Sequence, residues 1–394
     1  MSVTGTIVAI ALNSLPYPSD LRDAATSAQA HEPAWTWQAA YTVDVIGVVG
    51  GIDTPAGRFL DNLEVAFDGD LDRGLGWRGA RAHFSLLANG GGEPNALAGT
   101  LQGYDNIEVG AQGVRLYEAW LEQDLADGKA SVLAGLYDVN SEFYVSGAAD
   151  LLLSPPFGVG SELAATGPNG PAIFPSTSLT VRLRLGGTDG PYAQVAAVNA
   201  RAGTIGDHGG VDTTFDHGLL YLAEAGWSGP LRLAVGAWGY GDDQDDIRDV
   251  SAPGVPALSP ARGAYLVTEG TLFEADAAPT VRAFLRLGVS DGDTTDFRGG
   301  WQAGLRVDSV FAGRPDSALS LGFQQGILSA KARANAADAG DDFAEAEGGV
   351  ELTYSDTLGP FTVQPDVQWI YNPGGDRNRD AILAAGLRLI LTLR

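Results

Sequence analysis

Cysteine is absent from this 394-residue sequence, and basic residues are scarce. Without cysteine, disulfide frameworks, thiolate metal sites and cysteine nucleophiles are excluded. Lys and Arg number 24 against 49 Asp and Glu, and the resulting charge of −25 argues against a nucleic-acid partner, which needs a basic surface. No stretch approaches the roughly 18 consecutive apolar residues of a transmembrane helix. A helical membrane protein is therefore excluded.

The motifs of common enzymes and metal sites are absent as well. The four histidines show no H-E-x-x-H spacing, and the chain has neither a P-loop nor a G-x-S-x-G elbow. We therefore predict no enzymatic activity, no cofactor and no metal centre. Two acidic clusters, residues 242–246 and 291–293, have ligand types that suit calcium, but neither completes an EF-hand pattern. Solvated loops are the simpler interpretation of these clusters.

What the sequence does contain is a regular alternation of apolar and polar residues from Trp35 onward. In residues 281–289 every second residue is apolar, and Arg282 and Arg286 fall on the other face. A period of two is typical of β-strands, whose successive side chains point to opposite faces. About sixteen such runs occur, each about ten residues long, the length that a tilted strand needs to cross a bilayer. The runs are 35–49, 58–71, 78–90, 113–124, 129–139, 177–186, 191–199, 217–228, 230–240, 262–273, 280–290, 297–308, 317–325, 346–355, 360–370 and 381–393.

Two interpretations fit this alternation, a soluble β-sandwich and a membrane β-barrel. The connections decide between them, because they alternate in length. Ser228–Pro230 and Asp124–Lys129 are short, whereas Gly91–Gln112, Val139–Ser176 and Gly326–Glu345 are long. Outer-membrane barrels have short periplasmic turns and longer external loops on alternate connections, and a sandwich has no reason to sort its loops in this way. We therefore predict an all-β protein, a transmembrane antiparallel up-and-down β-barrel of about sixteen strands.

Aromatic residues near the strand ends favour the same fold. They lie on the apolar face, as an aromatic girdle at a membrane boundary requires. They are Trp35, Trp37, Tyr41, Phe59, Trp227, Trp301, Phe361 and Trp369.

The first 33 residues differ from the rest of the chain. Val3–Leu12 is a short apolar run, but no Lys or Arg precedes it, and Pro16 and Pro18 discourage a long helix after it. We predict two units: an N-terminal segment at 1–33, either a signal remnant or a periplasmic extension, and the β-barrel at 34–394.

Several short motifs are distributed along nearly the whole of the predicted barrel. They are Gly74–Gly79 (GLGWRG), Arg115–Gln123 (RLYEAWLEQ), Asn140–Ser146 (NSEFYVS), Gln364–Trp369 (QPDVQW) and Asn372–Gly375 (NPGG). In their order and spacing the chain resembles the carbohydrate-selective outer-membrane porin family, the porin B type. The resemblance implies a sixteen-stranded channel with an inward-folded loop, which admits glucose-like sugars by facilitated diffusion. It also implies residence in the bacterial outer membrane after insertion by the barrel-assembly machinery, as a monomer or homotrimer in contact with lipid.

Selectivity in such a channel would come from the groups that line its neck. A sugar offers hydroxyls to carboxylates and guanidinium groups, and a flat C–H face to an aromatic ring. We assign Tyr117, Ala119 and Leu121 to the lipid face of the fourth strand. The candidate pore-constriction residues are Arg115, Glu118, Trp120 and Glu122 on that strand, Glu142 on the following loop, and Arg182 and Arg184 opposite. The alternative is a solvated ladder of charges that only keeps the pore wet.

The proline-rich connection at Val139–Ser176 is expected to fold into the lumen as the constriction, the alternative being an external lid. Two other functions compete with selective sugar transport. A general diffusion porin would use the acidic balance to favour cations. A soluble or surface β-protein for adhesion would need no channel at all.

Overall fold

A computed structural model of the protein describes residues 33–274 and 279–394. Residues 1–32 lie outside the described residues, so the boundary predicted at residue 33 stays a prediction. The described part consists almost entirely of antiparallel strands. They are β1 (Trp35–Gly50), β2 (Ala56–Asp70), β3 (Ala80–Gly91), β4 (Gly113–Leu125), β5 (Ala130–Tyr137), β6 (Ser178–Leu185), β7 (Gly190–Asn199), β8 (Leu219–Ser228), β9 (Leu231–Tyr240), β10 (Gln244–Ala252), β11 (Val255–Ser259), β12 (Arg262–Phe273), β13 (Thr280–Ser290), β14 (Phe297–Asp308), β15 (Ala318–Leu328), β16 (Ala346–Leu358), β17 (Phe361–Tyr371) and β18 (Ile382–Leu393).

Sixteen of these strands form one closed barrel, in which each strand pairs with its neighbour in the chain and β1 pairs with β18. All sixteen predicted runs are barrel strands, and the predicted up-and-down antiparallel topology is confirmed. The barrel skips β10 and β11, which pair with each other as a separate hairpin, so that β9 pairs directly with β12. Closure leaves no unpaired edge in the barrel wall.

The connections between strands carry short helices as well as this hairpin. The helices are α1 (Leu71–Leu75), α2 (Asn95–Ala98), α3 (Ser161–Ala164) and α4 (Ala330–Ala339). The longest of them, α4, begins at Ser329, whose hydroxyl accepts a hydrogen bond from the amide of Ala332, and ends at Gly340 in the left-handed region. Within residues 33–274 and 279–394, none of the helices has the length and apolar character required to span a lipid bilayer.

The two faces of the barrel wall differ in the way the alternation predicts. In β13, Leu285, Leu287 and Val289 are exposed on the outer face, whereas Phe284 and Arg286 are buried on the inner face. Of the predicted girdle residues, seven are exposed and Trp301 is half-buried. The outer surface is therefore apolar, and the polar side chains point into the barrel.

Residues 138–177, which connect β5 to β6 and are called the crossing loop below, contact inward-facing side chains on opposite sides of the barrel. Near one end of the loop, Glu142 binds Arg182 of β6, and farther along, the amide of Ser154 donates a 2.8 Å hydrogen bond to Glu351 of β16. In the ring of sixteen strands β6 and β16 occupy the twelfth and fourth positions, which are eight places apart and therefore opposite. The loop consequently spans the interior.

A row of three glycines forms part of the inner wall beneath this loop. Gly288, Gly300 and Gly326 are aligned in register across β13, β14 and β15, and are called the glycine row below. A Cβ at Gly288 would lie 1.7 Å from Oε1 of Glu162 in α3, and one at Gly326 would lie 2.6 Å from Oε1 of Gln102. Glycine is therefore needed here because the inner loops lie directly on the strand backbone.

Candidate functional site

The centre of the candidate site is a buried arginine held between two carboxylates. Arg182 of β6 is 1% exposed, and its Nη2 lies 3.0 Å from Oε1 of Glu122 in β4. Its Nε lies 2.6 Å from Oε2 of Glu142 in the crossing loop, and its Nη1 donates a 2.6 Å hydrogen bond to Oγ of Ser131. A buried charge requires such pairing, because removal from water is costly. The arginine thus joins the wall to the loop.

These residues belong to a line of side chains that runs across four adjacent strands. Arg81 of β3, Glu122 of β4, Leu133 of β5 and Arg182 of β6 are aligned in register and are called the charged row below. Arg81 Nη2 lies 3.0 Å from Oε2 of Glu122, so Glu122 is shared between two arginines. Opposite charges therefore alternate along this part of the lumen.

Glu224 of β8 forms a second cluster that the sequence analysis did not assign to the site. Its carboxylate accepts hydrogen bonds from the hydroxyls of Tyr192 and Tyr265, at 2.7 and 2.8 Å, and from the amide of Tyr144 at 3.0 Å. The rings of Tyr144 and Tyr265 are stacked with centroids 4.0 Å apart. The guanidinium of Arg286 lies over the ring of Tyr144, 4.3 Å from its centroid. The alternation along the strand places Glu224 on the inner face of the barrel, but it places many other residues there too. No other feature of the sequence marks Glu224 as part of a site.

The prediction that Tyr117 faces lipid is wrong. The β3–β4 register shifts between Ser85 and Leu86, so that β4 contains an extra residue at this point. Such a β-bulge exchanges the inward-facing and outward-facing positions along the strand, so that odd-numbered residues face inward before it and outward after it. Tyr117 is consequently buried, and its hydroxyl donates a hydrogen bond to Asp138 at the start of the crossing loop. Leu121, beyond the bulge, is exposed on the outer face as predicted.

Glu118 and Trp120 point inward but contact protein rather than open space. The Glu118 carboxylate accepts a 3.1 Å hydrogen bond from the amide of Asp138. Trp120 is 6% exposed, and its ring is stacked on His83 with centroids 5.1 Å apart. His83 in turn shares a 2.8 Å hydrogen bond with Asp68. Little of the Trp120 face is open to a passing sugar in this arrangement.

Arg115 and Arg184 lie apart from the Arg182 cluster. Arg115 pairs with Asp207 of the 200–218 connection, at 2.6 Å, and this pair borders a cavity among the long connections. Arg184 donates a 3.1 Å hydrogen bond to Gln194, and its guanidinium lies 4.9 Å from the centroid of the Tyr192 ring. The structure therefore brings together Glu122, Glu142 and Arg182, and places the other four predicted residues around them or beyond them.

A lysine forms ion pairs with both acidic clusters on the long connections. Lys331 of α4 lies 2.8 Å from Asp249 and 3.0 Å from Asp293, and it also pairs with Asp246. Burial raises the pKa of Asp246, but hydrogen bonds from Lys331 and from the amides of Asp249 and Arg248 outweigh it and lower that pKa to about 2. Within residues 33–274 and 279–394, no group of three or more His, Asp or Glu side chains is arranged to hold a metal ion.

A closed barrel with an apolar exterior, a charged interior and a loop across its lumen has the construction of a membrane channel of the porin class. The family model described as "Carbohydrate-selective porin, OprB family" matches residues 54–393. The chain belongs to this family, as the sequence motifs predicted. The members of this family are carbohydrate-selective channel proteins.

Individual relatives are distant in sequence. The chain is 22% identical to Porin B of Pseudomonas aeruginosa over 381 residues, which cover 86% of this chain and 82% of that protein. A high-pH structure of Pseudomonas putida OprB is 21% identical, covers 91% of this chain and 94% of its own, and superposes with a TM-score of 0.82. The outer membrane channel DcaP of Acinetobacter baumannii is 11% identical, covers 91% of this chain and 97% of its own, and has a TM-score of 0.54. At these identities the solved structures support the fold alone.

Proposed function

We propose that this porin allows glucose-like sugars to diffuse passively across the bacterial outer membrane, through a neck between the crossing loop and the charged row. The observation that carries the proposal is the position of Arg182. It links Glu122 on the barrel wall to Glu142 on the crossing loop, at 3.0 and 2.6 Å. Glu142 remains 22% exposed, so one carboxylate of the cluster is accessible from the lumen.

The chemistry of this neck suits a neutral solute with many hydroxyls. Alternating carboxylates and guanidinium groups accept and donate hydrogen bonds, and so replace part of the hydration shell of a sugar. Because the charges are paired, the neck lacks a strong field of one sign that would favour ions. Binding must remain weak, since a channel that holds its solute tightly conducts slowly.

The crossing loop is proposed as the constriction. Its bonds to Arg182 on one side of the barrel and to Glu351 on the opposite side support this role, because a segment fixed at both walls divides the lumen. An external lid would have no need of such anchors inside the barrel.

The membrane position is proposed from the outer surface. Exposed Trp35, Trp37, Phe59, Trp227 and Trp369 suit the boundary between lipid and water on an apolar barrel. We place the short turns in the periplasm and the long connections outside the cell, as in other outer-membrane barrels. Insertion by the barrel-assembly machinery, and a state of monomer or homotrimer, remain predictions.

Reconstitution into liposomes tests the function. Swelling rates would be compared for glucose, for larger saccharides and for amino acids matched to glucose in size. We expect glucose to enter faster than the matched amino acids. Equal rates for sugars and amino acids of one size would overturn the selective function.

Two variants test the neck. Glu142→Gln removes the accessible carboxylate that pairs with Arg182, and we expect the preference for glucose to fall while assembly is retained. Glu118→Gln is the matched control, because Glu118 is buried and bonds to the amide of Asp138 rather than to Arg182. Unaltered solute preference in Glu142→Gln would refute this assignment of the neck.

A general diffusion porin with cation preference is the second candidate, favoured by the net charge of −25. In that case conductance would not be blocked by sugar, and uptake would follow solute size alone. A reversal potential in a KCl gradient, with and without glucose, distinguishes the two functions.

A further inference from the structure

A second polar cavity lies outside the neck, at the end of the barrel where the long connections meet. Its volume is about 550 Å³, and its walls come from five connections. The connections that border it are 92–112, 138–177, 200–218, 241–261 and 291–296. Cavities of roughly 300–1,000 Å³ are of the size that holds small molecules.

The wall of this cavity is fixed by buried polar contacts. Asp207 pairs with Arg115 at 2.6 Å and accepts hydrogen bonds from Oγ of Ser176 at 2.5 Å and from the amide of Thr204 at 3.1 Å. Asn169 donates a 2.8 Å hydrogen bond to the carbonyl of Ala202. The crossing loop and the 200–218 connection are thereby held together, and the charge of Asp207 is neutralised by Arg115. The cavity is preformed.

Two side chains in the lining lack such partners. The carboxylate of Asp296 and the ring of His208 are exposed and border the cavity, and neither makes a side-chain hydrogen bond or ion pair within residues 33–274 and 279–394. These groups supply an acceptor and a donor to a ligand.

The backbone of the lining lacks donors at three positions. Pro168, Pro171 and Pro175 border the cavity and have no amide N–H to donate to a ligand. A cavity with few backbone donors and one unpaired carboxylate matches a ligand that brings its own donors and no negative charge. Apolar residues in the same lining, among them Leu101, offer contact to C–H groups.

We propose that this cavity is an outer binding site for a neutral saccharide, in which the carboxylate of Asp296 accepts hydrogen bonds from the sugar hydroxyls and holds the sugar before it enters the neck. The inference rests on the proposed function, since it names a second binding step on the same path. Arg115 acts here as a positioning residue, because it acts on the cavity through Asp207 rather than through the sugar.

The test is uptake of labelled glucose into proteoliposomes over a range of concentrations, with wild type, Asp296→Asn and Asp341→Asn. Asp341 is an exposed aspartate of another long connection that does not border the cavity, so its variant is matched in charge. We expect saturable uptake by the wild type. In Asp296→Asn the half-saturating concentration should rise by about tenfold, the effect of one hydrogen bond to a charged group, with the maximal rate unchanged. Asp341→Asn should behave as wild type.

A second measurement identifies the class of ligand. Glucuronate has the ring of glucose but carries a negative charge, which Asp296 repels. Its uptake relative to glucose should therefore increase in Asp296→Asn and remain unchanged in Asp341→Asn. Equilibrium dialysis of labelled glucose against the detergent-solubilised barrel should show the same loss of affinity.

The outcomes separate this inference from the proposed function. Selective, saturable glucose uptake with the same half-saturating concentration in Asp296→Asn and wild type would overturn the outer site and leave the neck intact. Uptake by the wild type that neither saturates nor distinguishes glucose from matched amino acids would overturn both.

Discussion

The charged row and the glycine row are two parts of the same inner wall that meet the crossing loop in different ways. Along the charged row, contact is made through long side chains: Glu142 of the loop reaches Arg182, whose other carboxylate partner is Glu122. Along the glycine row, α3 of the loop lies on bare backbone, so close that a Cβ at Gly288 would lie 1.7 Å from Oε1 of Glu162.

The comparison shows how the crossing loop packs closely against the glycine row and leaves polar groups between itself and the charged row. Glycine removes side chains where the loop must approach the wall. Arginine and glutamate keep the loop backbone one or two side chains away from the strand backbone where polar groups face the lumen. The position of the loop is therefore determined as much by residues that are missing from the wall as by those that bind it.

The strongest way to break this arrangement is Arg182→Met. It leaves Glu122 and Glu142 without their shared cation, and removal of one partner from a buried ion pair costs about 3–5 kcal/mol. We expect a lower free energy of unfolding in urea, and a shift of the reversal potential towards cation selectivity. Arg184→Met is the control, because Arg184 donates a hydrogen bond to Gln194, lies over the ring of Tyr192 and has no carboxylate partner within the described residues. An equal effect of both variants would contradict a special role for Arg182.

The glycine row is tested by Gly288→Ala. The new methyl group would collide with Glu162 and with the hydroxyl of Tyr144, and overpacking of this kind costs about 1–3 kcal/mol. We expect lower stability and an altered single-channel conductance, because the loop must move. Gly110→Ala is the matched control, since a Cβ there meets no atom of the described residues within 4 Å. Wild-type conductance in Gly288→Ala would show that the close contact does not set the loop position.

A weaker test acts on the anchor opposite the charged row. Glu351 accepts hydrogen bonds from the amides of Leu153 and Ser154 in the crossing loop. In Glu351→Gln the side-chain amide can accept only part of these bonds, at a cost of about 1 kcal/mol for each bond lost. Hydrogen exchange at the two loop amides should become faster. Glu345→Gln, in an exposed position, should leave their exchange unchanged.

The smallest effect is expected outside the barrel, where Lys331 joins α4 to the β10–β11 hairpin. In Lys331→Met we expect a loss of about 1 kcal/mol and unchanged conductance. Two of the three lost partners, Asp249 and Asp293, are exposed, and the buried Asp246 keeps its hydrogen bonds from the amides of Arg248 and Asp249. The amide of Ile247, which donates a 2.9 Å hydrogen bond to the carbonyl of Asp293, should exchange faster. Altered conductance in Lys331→Met would contradict this and show that the cluster affects the pore.

The same cluster has a defined pH dependence. The pKa of Asp246 is lowered to about 2, so its stabilising contribution is present above the ordinary Asp value of about 3.9 and is lost as the pH falls through about 2. The pKa of Lys331 is raised by its hydrogen bonds to Asp246 and Asp249, so its contribution is present below about 10.4 and is lost only at higher pH. Exchange at Ile247 should therefore be equally protected at pH 5 and pH 8, after correction for intrinsic rates, and less protected near pH 2. A change between pH 5 and pH 8 would refute this.

The strands were predictable because their signal is local. Alternation and length identify a barrel strand from its own ten residues, and Arg282 and Arg286 of β13 face inward as their phase requires. The bulge in β4 was not predictable in this way, since an extra residue is recognised only against the partner strand. For this reason Tyr117 was assigned to the wrong face.

The site was predictable only in part. The inward phase identified Glu122 and Arg182, and the loop motif identified Glu142, but their contact depends on the path of the crossing loop. The same limit explains why Glu224 was missed, since its partners lie on other strands and on the loop. It also explains Arg115, which the sequence placed in the neck and the structure places beside Asp207.

The seam between β1 and β18 has a consequence for assembly. It pairs Ala39 with Leu393, so the ring is completed by residues from almost opposite ends of the chain. Hydrogen bonds across the seam, and the buried contact of Asp44 with Arg388 that spans it, form only after the last strand has arrived. Until that moment two strand edges remain open, which lipid does not tolerate and which invite aggregation in water. Ring closure is therefore a late step in folding, since it requires both β1 and β18 to be in place.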